Sequence, residues 1–254
     1  MPRRVLVTGM SGLIGGAVRR ELAGRYELSA LGRRPVDGVP THVAELTDGD
    51  ALRRAFDGIE VVVHLSAASR GTSPWPEIRD ANLIGVHNVY EAARAAGVAR
   101  VLFASSGATL AGWERESPFA DLVTGRGASL STWPMLRHEI RPNTVYGASK
   151  VWGEALGQYY ADATGLSVVC LRFGSVNEAD RPESDREFAV WCSQADAARA
   201  VERAIEAPES LRYAIVHVVS DNRWGYRDLA HARETIGYVP RDRAEDHRKK
   251  EPHA

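Results

Sequence analysis

The sequence predicts an α/β protein: a doubly wound parallel sheet with a small C-terminal portion beside it. Three observations predict it. Short apolar runs of the strand type alternate with helix-type stretches from the first residues onward. A glycine-rich turn, Gly9 to Gly15, stands between the first such run and the first helix. Far along the chain, Tyr146 and Lys150 open a proline-free stretch that reads as a helix to about Tyr160. Residues four apart share a helical face, so that helix presents a phenol and an ammonium side by side.

Arg4 to Thr8 is short, mostly apolar and ends in glycine, as a buried strand does. After the turn, an amphipathic stretch to about Leu22 forms the first helix. Strands follow at Tyr26–Leu31 and Thr41–Ala44, a helix at Asp48–Phe56, and a largely apolar strand at Glu60–Leu65. His64, inside Val-Val-Val-His-Leu, reads as a packed core histidine. Pro76 to Ala96 makes a long helix with proline near its start and Gly97 closing it. Val101–Ser105 is the fifth strand. Leu110 to Asn143 shows no firm periodicity, yet Trp113, Trp133, Met135 and Leu136 make it too apolar to stay solvated. Beyond the Tyr146 helix come a strand at Leu166–Phe173, a helix at Gln194–Glu206, a strand at Tyr213–Val219 and a helix at Tyr226–Ile236. The chain reads as one domain over residues 1–254. Stretches 175–190 and 220–240 form the small substrate lobe, and the charged tail 241–254 frays.

Composition narrows the function. Hydrophobic content of 44% with 26% charge suits a globular protein, and a net charge of −1 gives no electrostatic reason to expect nucleic acid or a membrane surface. Two cysteines argue against a disulfide framework and for a reducing cytoplasm. No stretch is long and apolar enough to span a bilayer, and no metal is called for.

The chemistry lies in two places. Glycines at 9, 12 and 15, following a strand and opening a helix, let the backbone approach a pyrophosphate at the positive end of the helix. At the end of the second strand stand Arg33 and Arg34, where an acid would hold a ribose hydroxyl. Arginines there accommodate a 2′-phosphate, which favours NADP, with NAD as the alternative. Tyr146 is the proton-transfer candidate: a phenol titrates near 10, and a nearby cation lowers that value. Only three of the 32 basic residues are lysines; Lys249 and Lys250 lie in the tail, so Lys150 is the one lysine of the body.

Taken together, Thr8-Gly9-x-x-Gly12-x-x-Gly15, His64-Leu65-Ser66-Ala67-Ala68, Asn82-x-x-Gly85-x-x-Asn88, Ser105-Ser106 and Tyr146-x-x-x-Lys150 resemble the extended short-chain dehydrogenase/reductases. This is the NAD-dependent epimerase/dehydratase family, and the compact length is similar to its uronate and sugar dehydrogenases. The resemblance spans residues 4 to 240. It implies a Rossmann fold, a cytoplasmic homodimer through the Pro76–Ala96 and Tyr146–Tyr160 helices, and a small-molecule substrate. It implies catalysis by Tyr146, Lys150 and Ser106. Cofactor contacts would come from Gly9, Ser11, Gly12, Leu13, Ile14, Gly15, Arg33, Arg34, Glu45, Leu46, Leu65, Ser66, Ala67, Asn82, Tyr146, Lys150 and Phe173. Substrate contacts would come from Ser69, Ser106, Gly107, Ser175 and Arg186. The chain departs from the family in places. Alignment through Thr109-Leu110-Ala111-Gly112 puts the usual hydroxyl on Gly107, leaving Ser105, Ser106 and Thr109 as candidates. Gly107 and Ala108 stand where uronate dehydrogenases carry Asn-His, and Gly174-Ser175 replace an asparagine. The implied activity is hydride transfer to or from a small sugar, uronic acid or related polar carbonyl compound. The alternatives are a nucleotide-sugar epimerase or dehydratase and a non-catalytic NADP(H)-sensing module.

Overall fold

A computed structural model describes residues 2–69 and 72–248. Seven strands form one parallel sheet in the order β3-β2-β1-β4-β5-β6-β7. They are β1 (Arg4–Thr8), β2 (Glu27–Gly32), β3 (Thr41–Val43), β4 (Val61–His64), β5 (Arg100–Ser106), β6 (Ser167–Phe173) and β7 (Tyr213–Val218). β1 pairs with β2 on one side and β4 on the other, Thr8 facing both Leu31 and His64. The strand order therefore reverses beside β1, and such a reversal opens a crevice at the strands' C-terminal ends.

Helices cover both faces because the central strands bury side chains on both sides. One face holds α1 (Leu13–Leu22), α8 (Gln194–Ile205) and α9 (Leu229–Ile236). The other holds α2 (Gly49–Ala55), α4 (Gly85–Ala96) and α6 (Val145–Thr164). Their ends are set by side chains. Asp48, Thr144, Ser193 and Asp228 accept hydrogen bonds from backbone N–H groups of the first turns. Gly97, Gly165 and Gly237 end α4, α6 and α9 in the left-handed conformation. Arg100 secures the far end of α8, donating from its buried guanidinium to the carbonyls of Ala204, Ala207 and Pro208 at 2.7–3.0 Å. A cation there also opposes the negative end of the helix.

Two expectations are corrected. The long helix from Pro76 is not uniform. A short α3 (Trp75–Glu77) runs into a π-helical segment, Ile78–Ile84, before α4 begins. The tail does not fray as far as it is described. Asp196, fully buried, accepts hydrogen bonds from the backbone N–H groups of Arg241 and Asp242, and Ala244 is buried under a 3₁₀ turn at Ala244–His247. Its charges suggested a solvated end, but a buried carboxylate needs donors, and the tail's backbone supplies them. Lys249 and Lys250, and the rest of the tail from 249, lie outside the described residues.

The irregular segment folds onto itself through 3₁₀ turns and α5 (Phe119–Val123). Leu110, Phe119, Leu122 and Leu136 then form a third core with Ala189 and Val190 of α7 (Glu187–Val190) and with Trp224 and Tyr226. Trp113 and Trp133 pack against it, and the Trp133 indole donates to the Gly225 carbonyl at 2.8 Å. No helix among the described residues is long and apolar enough to cross a membrane.

Candidate active site

The crevice is a cleft of about 1410 Å³ along the C-terminal ends of the strands. Its floor is the turn between β1 and α1. Gly9 has φ +73°, and a Cβ there would stand 2.8 Å from the Ser66 nitrogen, while a Cβ on Gly15 would stand 2.4 Å from the Gly9 carbonyl oxygen. Only glycine allows both the left-handed turn and the close seating of helix on loop. Gly12 caps α1 without any side chain, so the first-turn N–H groups of Leu13, Ile14 and Gly15 remain directed at the cleft. Three free donors at a positive helix end fit a pyrophosphate. The residues present therefore suit a dinucleotide.

Ser11, Arg33, Arg34, Glu45, Leu46, Leu65, Ser66 and Ala67 all line the same cleft. Arg33 and Arg34 are exposed and join no ion pair among the described residues, which leaves both guanidinium groups available. Thr8 ties the loops together: its hydroxyl accepts from Ser66 N–H at 3.2 Å and lies 2.7 Å from His64 Nδ1. Burial pushes His64 down to about 3, with the Lys150 charge adding to the effect. It stays neutral and stacks on Phe103 as a core residue.

Asn82 differs from its expected role. Its carboxamide is buried, accepting from Ala68 N–H at 2.8 Å and donating to Ala68 O and to Ser149 Oγ. Every polar atom of the side chain is thereby committed, and Asn82 is absent from the cleft lining. It positions the 66–68 loop against α6 instead. The other two motif positions do the same for the next loop. Asn88 donates to Leu46 O at 2.9 Å, and a Cβ on Gly85 would press within 2.8 Å of the Leu46 Cβ.

Tyr146 and Lys150, on the first turns of α6, face the far end of the cleft together with Ser106 and Phe173. The three candidate hydroxyls separate cleanly. Ser105 donates to Glu154 at 2.6 Å and Thr109 to the Ser106 carbonyl at 2.9 Å, so both are spent. Ser106 lines the cleft, receives the Ala108 N–H, and is the hydroxyl that lies against the Tyr146 phenol. Lys150 is buried, donates to the Ala104 carbonyl at 2.7 Å, and has its Nζ 5.6 Å from the Tyr146 ring centre. Burial pulls it down to about 8, opposed by the Glu154 carboxylate one turn on. The expected control of the phenol by the lysine is not what the structure shows. Burial raises Tyr146 above its ordinary value, and the group that lowers it is Ser106. The charge of Lys150 goes first to a strand carbonyl.

The substrate side departs further from expectation. Ser69 and Ser175 line the cleft, though the Ser175 hydroxyl donates to Glu187. Gly107 and Arg186 do not line it. A Cβ on Gly107 would sit 2.3 Å from the Arg227 terminal nitrogens, so this glycine makes room for a guanidinium rather than for a ligand. Arg186 is gripped bidentately by Glu114 at 2.6 and 2.8 Å, and Tyr226 donates to the same carboxylate at 2.6 Å. Sequence reasoning passed over Glu114 and Arg227, which lie in stretches with no motif of their own, and Glu154, whose place one turn beyond Lys150 does not reveal its buried partner Arg172.

Such a cleft defines a dinucleotide-binding protein with Tyr146, Lys150 and Ser106 together at the end away from Arg33 and Arg34. The chain belongs to the NAD dependent epimerase/dehydratase family, whose model matches residues 5–188. It is 35% identical over 253 residues to the L-arabinose 1-dehydrogenase (NAD(P)(+)) of Haloferax volcanii, covering 94% of this chain and 96% of that one. It is 33% identical to the NAD-dependent glucose-6-phosphate dehydrogenase of the same organism, covering 95% and 94%. Among solved structures, a mutant uronate dehydrogenase of Agrobacterium tumefaciens complexed with NAD matches with a TM-score of 0.79 and 30% identity, over 96% of this chain and 86% of the other.

Proposed function

We propose that the protein is an NAD(P)-dependent dehydrogenase that moves hydride to or from a carbinol or carbonyl carbon of a small sugar, uronic acid or related polar compound. One observation carries this reading: Ser106 and Tyr146 share a cleft with the uncapped glycine turn, above a buried lysine. The bound nicotinamide supplies the hydride chemistry. The chain orients the substrate oxygen between the Ser106 and Tyr146 hydroxyls and moves its proton through the phenol. Lys150 would hold the nicotinamide ribose with the donors that its hydrogen bond to the Ala104 carbonyl leaves free. The test is net turnover of nicotinamide absorbance against a panel of aldoses, sugar phosphates and uronic acids. Stoichiometric change supports a dehydrogenase, whereas conversion of an activated sugar without it means an epimerase or dehydratase.

The preferred cofactor is NADP. Arg33 and Arg34 join no ion pair among the described residues and follow β2, where a 2′-phosphate would meet two guanidinium forks and where the strand ends in Gly32 rather than in an acid. Arg33→Ala is expected to weaken NADP about tenfold or more and NAD less than twofold, since a charged hydrogen bond contributes roughly 1.5–3 kcal/mol. Titration of cofactor fluorescence measures both, and equal losses would reject the preference.

The molecule works as a cytoplasmic homodimer. Val145, Trp152 and Tyr159 recur every seven residues on α6 and are exposed, as are Ile84 and Trp75 on the adjoining helix. Such an apolar stripe on two neighbouring helices suits a symmetric helical interface. Sedimentation of Trp152→Glu against the native protein tests it: the variant is expected to run as a monomer, and a native monomer would rule the interface out.

A further inference from the structure

Ser175 stands in the cleft wall with its hydroxyl already aimed. It follows β6, and Gly174, Ser175 and Val176 line the cleft beyond Phe173. The backbone of Ser175 is pinned from both sides. Its N–H donates to the Val190 carbonyl at 2.8 Å, and its own carbonyl accepts from the Cys192 N–H at 2.9 Å. A Cβ on Gly174 would stand 2.2 Å from the Val190 oxygen, so glycine lets this wall lie directly on the end of α7. Seated there, Ser175 donates its one proton to the Glu187 carboxylate at 2.5 Å.

The carboxylate is held in turn. Glu187 opens α7, accepts from the Glu183 N–H at 2.6 Å and, at 3.4 Å, from the Asn177 carboxamide. These donors are neutral, and Arg186, the neighbour in the chain, gives its fork to Glu114. The charge nearest the Ser175 hydroxyl is therefore a carboxylate. A hydroxyl has one proton to give and lone pairs to accept with, and a hydrogen bond to an ionised acceptor is stronger than one to a neutral acceptor. With its proton committed to Glu187, Ser175 meets the cleft as an acceptor. A group bound at this point has to bring its own proton. A sugar hydroxyl brings one, whereas a carboxylate brings none and is repelled by the anion one hydrogen bond behind the serine. Ser106 and Phe173, in register at the ends of β5 and β6, place this wall next to the Ser106 and Tyr146 hydroxyls.

We propose that Ser175, oriented by Glu187, accepts a hydrogen bond from a hydroxyl of the substrate and so makes the enzyme prefer neutral sugars to uronic acids and sugar phosphates. This rests on the dehydrogenase reading above and narrows its substrate class. Ser175 is the specificity-determining residue. Glu187 is a positioning residue that acts through it, and Gly174 is required because a side chain there would lift the wall off α7.

The test compares a neutral hexose with its hexuronic acid and its hexose phosphate, using native protein, Ser175→Ala and Glu187→Gln. Cofactor titration reports folding of each variant. Native kcat/KM is expected to be about tenfold or more higher for the hexose than for either anionic sugar. Ser175→Ala should lower kcat/KM for the hexose by about 3–10-fold, mainly through KM, and change the anionic sugars less than twofold. Glu187→Gln keeps the shape and removes the charge, so the ratio between hexose and hexuronate should narrow by about fivefold or more. A merely structural role for Glu187 would lower all three sugars together and leave that ratio unmoved. A native preference for an anionic sugar, equal losses for all sugars in Ser175→Ala, or an unchanged ratio in Glu187→Gln would overturn the proposal. Should no sugar be turned over, the dehydrogenase reading fails by itself. Calorimetry of the cofactor-loaded protein then decides the Ser175 site. Tighter binding of the hexose than of the hexuronate, weakened in Ser175→Ala, supports it. Binding unchanged in Ser175→Ala, or none in the native protein, rejects it.

Discussion

Replacing Tyr146 by phenylalanine is expected to lower kcat by about 10²–10⁴-fold, the range removed with a general acid or base, while cofactor affinity and melting temperature barely change. The change deletes one oxygen from a half-buried ring, so no packing is lost. The phenol lies at the cleft surface beside Ser106 and holds no loop in place. Loss of cofactor binding in the variant would instead assign the residue a structural role. The direction of reaction matters for pH. Burial keeps the phenol protonated at neutral pH, which is the form needed to protonate an oxygen as a carbonyl is reduced. Lys150 holds its charge below about 8. In the reducing direction kcat/KM is therefore expected to fall as pH rises through about 8, where the ammonium loses its proton. A profile flat from pH 6 to 10 would contradict the part given to Lys150.

Glu154→Leu is expected to destabilise the protein by about 3–5 kcal/mol, the cost of leaving a buried charge without its partner. Arg172 has no exposed side-chain surface and meets both carboxylate oxygens of Glu154, at 2.7 and 2.8 Å. Its remaining nitrogen donates to the Glu139 carbonyl at 3.2 Å, so the same arginine fastens the irregular segment to the sheet. For a chain of this size the melting temperature should drop on the order of 10 °C. Removing Arg172 as well, as Glu154→Leu with Arg172→Met, should recover most of the loss, because two apolar side chains need no counter-charge. Calorimetric melting of the single and double variants measures the coupling. A double variant no more stable than Glu154→Leu would mean that packing, not charge pairing, is what Glu154 contributes.

Much of this molecule could be read before any coordinate was known, and the reasons are local. The strand from Arg4 to Thr8 declares itself by apolar run length, and the turn from Gly9 to Gly15 by backbone conformations and close contacts that only glycine tolerates. Tyr146 and Lys150 come to one face through the helical period alone, so their meeting at one end of the cleft was legible from spacing. The π-helical segment at Ile78–Ile84 was not, since nothing local distinguishes it from the α-helix on either side. The same limit hid the burial of Asn82 behind the cleft wall.

What the sequence by itself determined is the alternation of elements, the glycine turn after β1 and the phenol–ammonium pair, because each is written within a few consecutive residues. The tertiary structure alone decided where each charge goes. Arg186 and Arg227 are both arginines in undistinguished stretches, yet one is held by Glu114, 72 residues away in the chain, and the other is buried against Gly107. Pairing between charges is a property of distance in space, and in this fold the relevant neighbours are brought together only when the irregular segment closes over the ends of β5, β6 and β7.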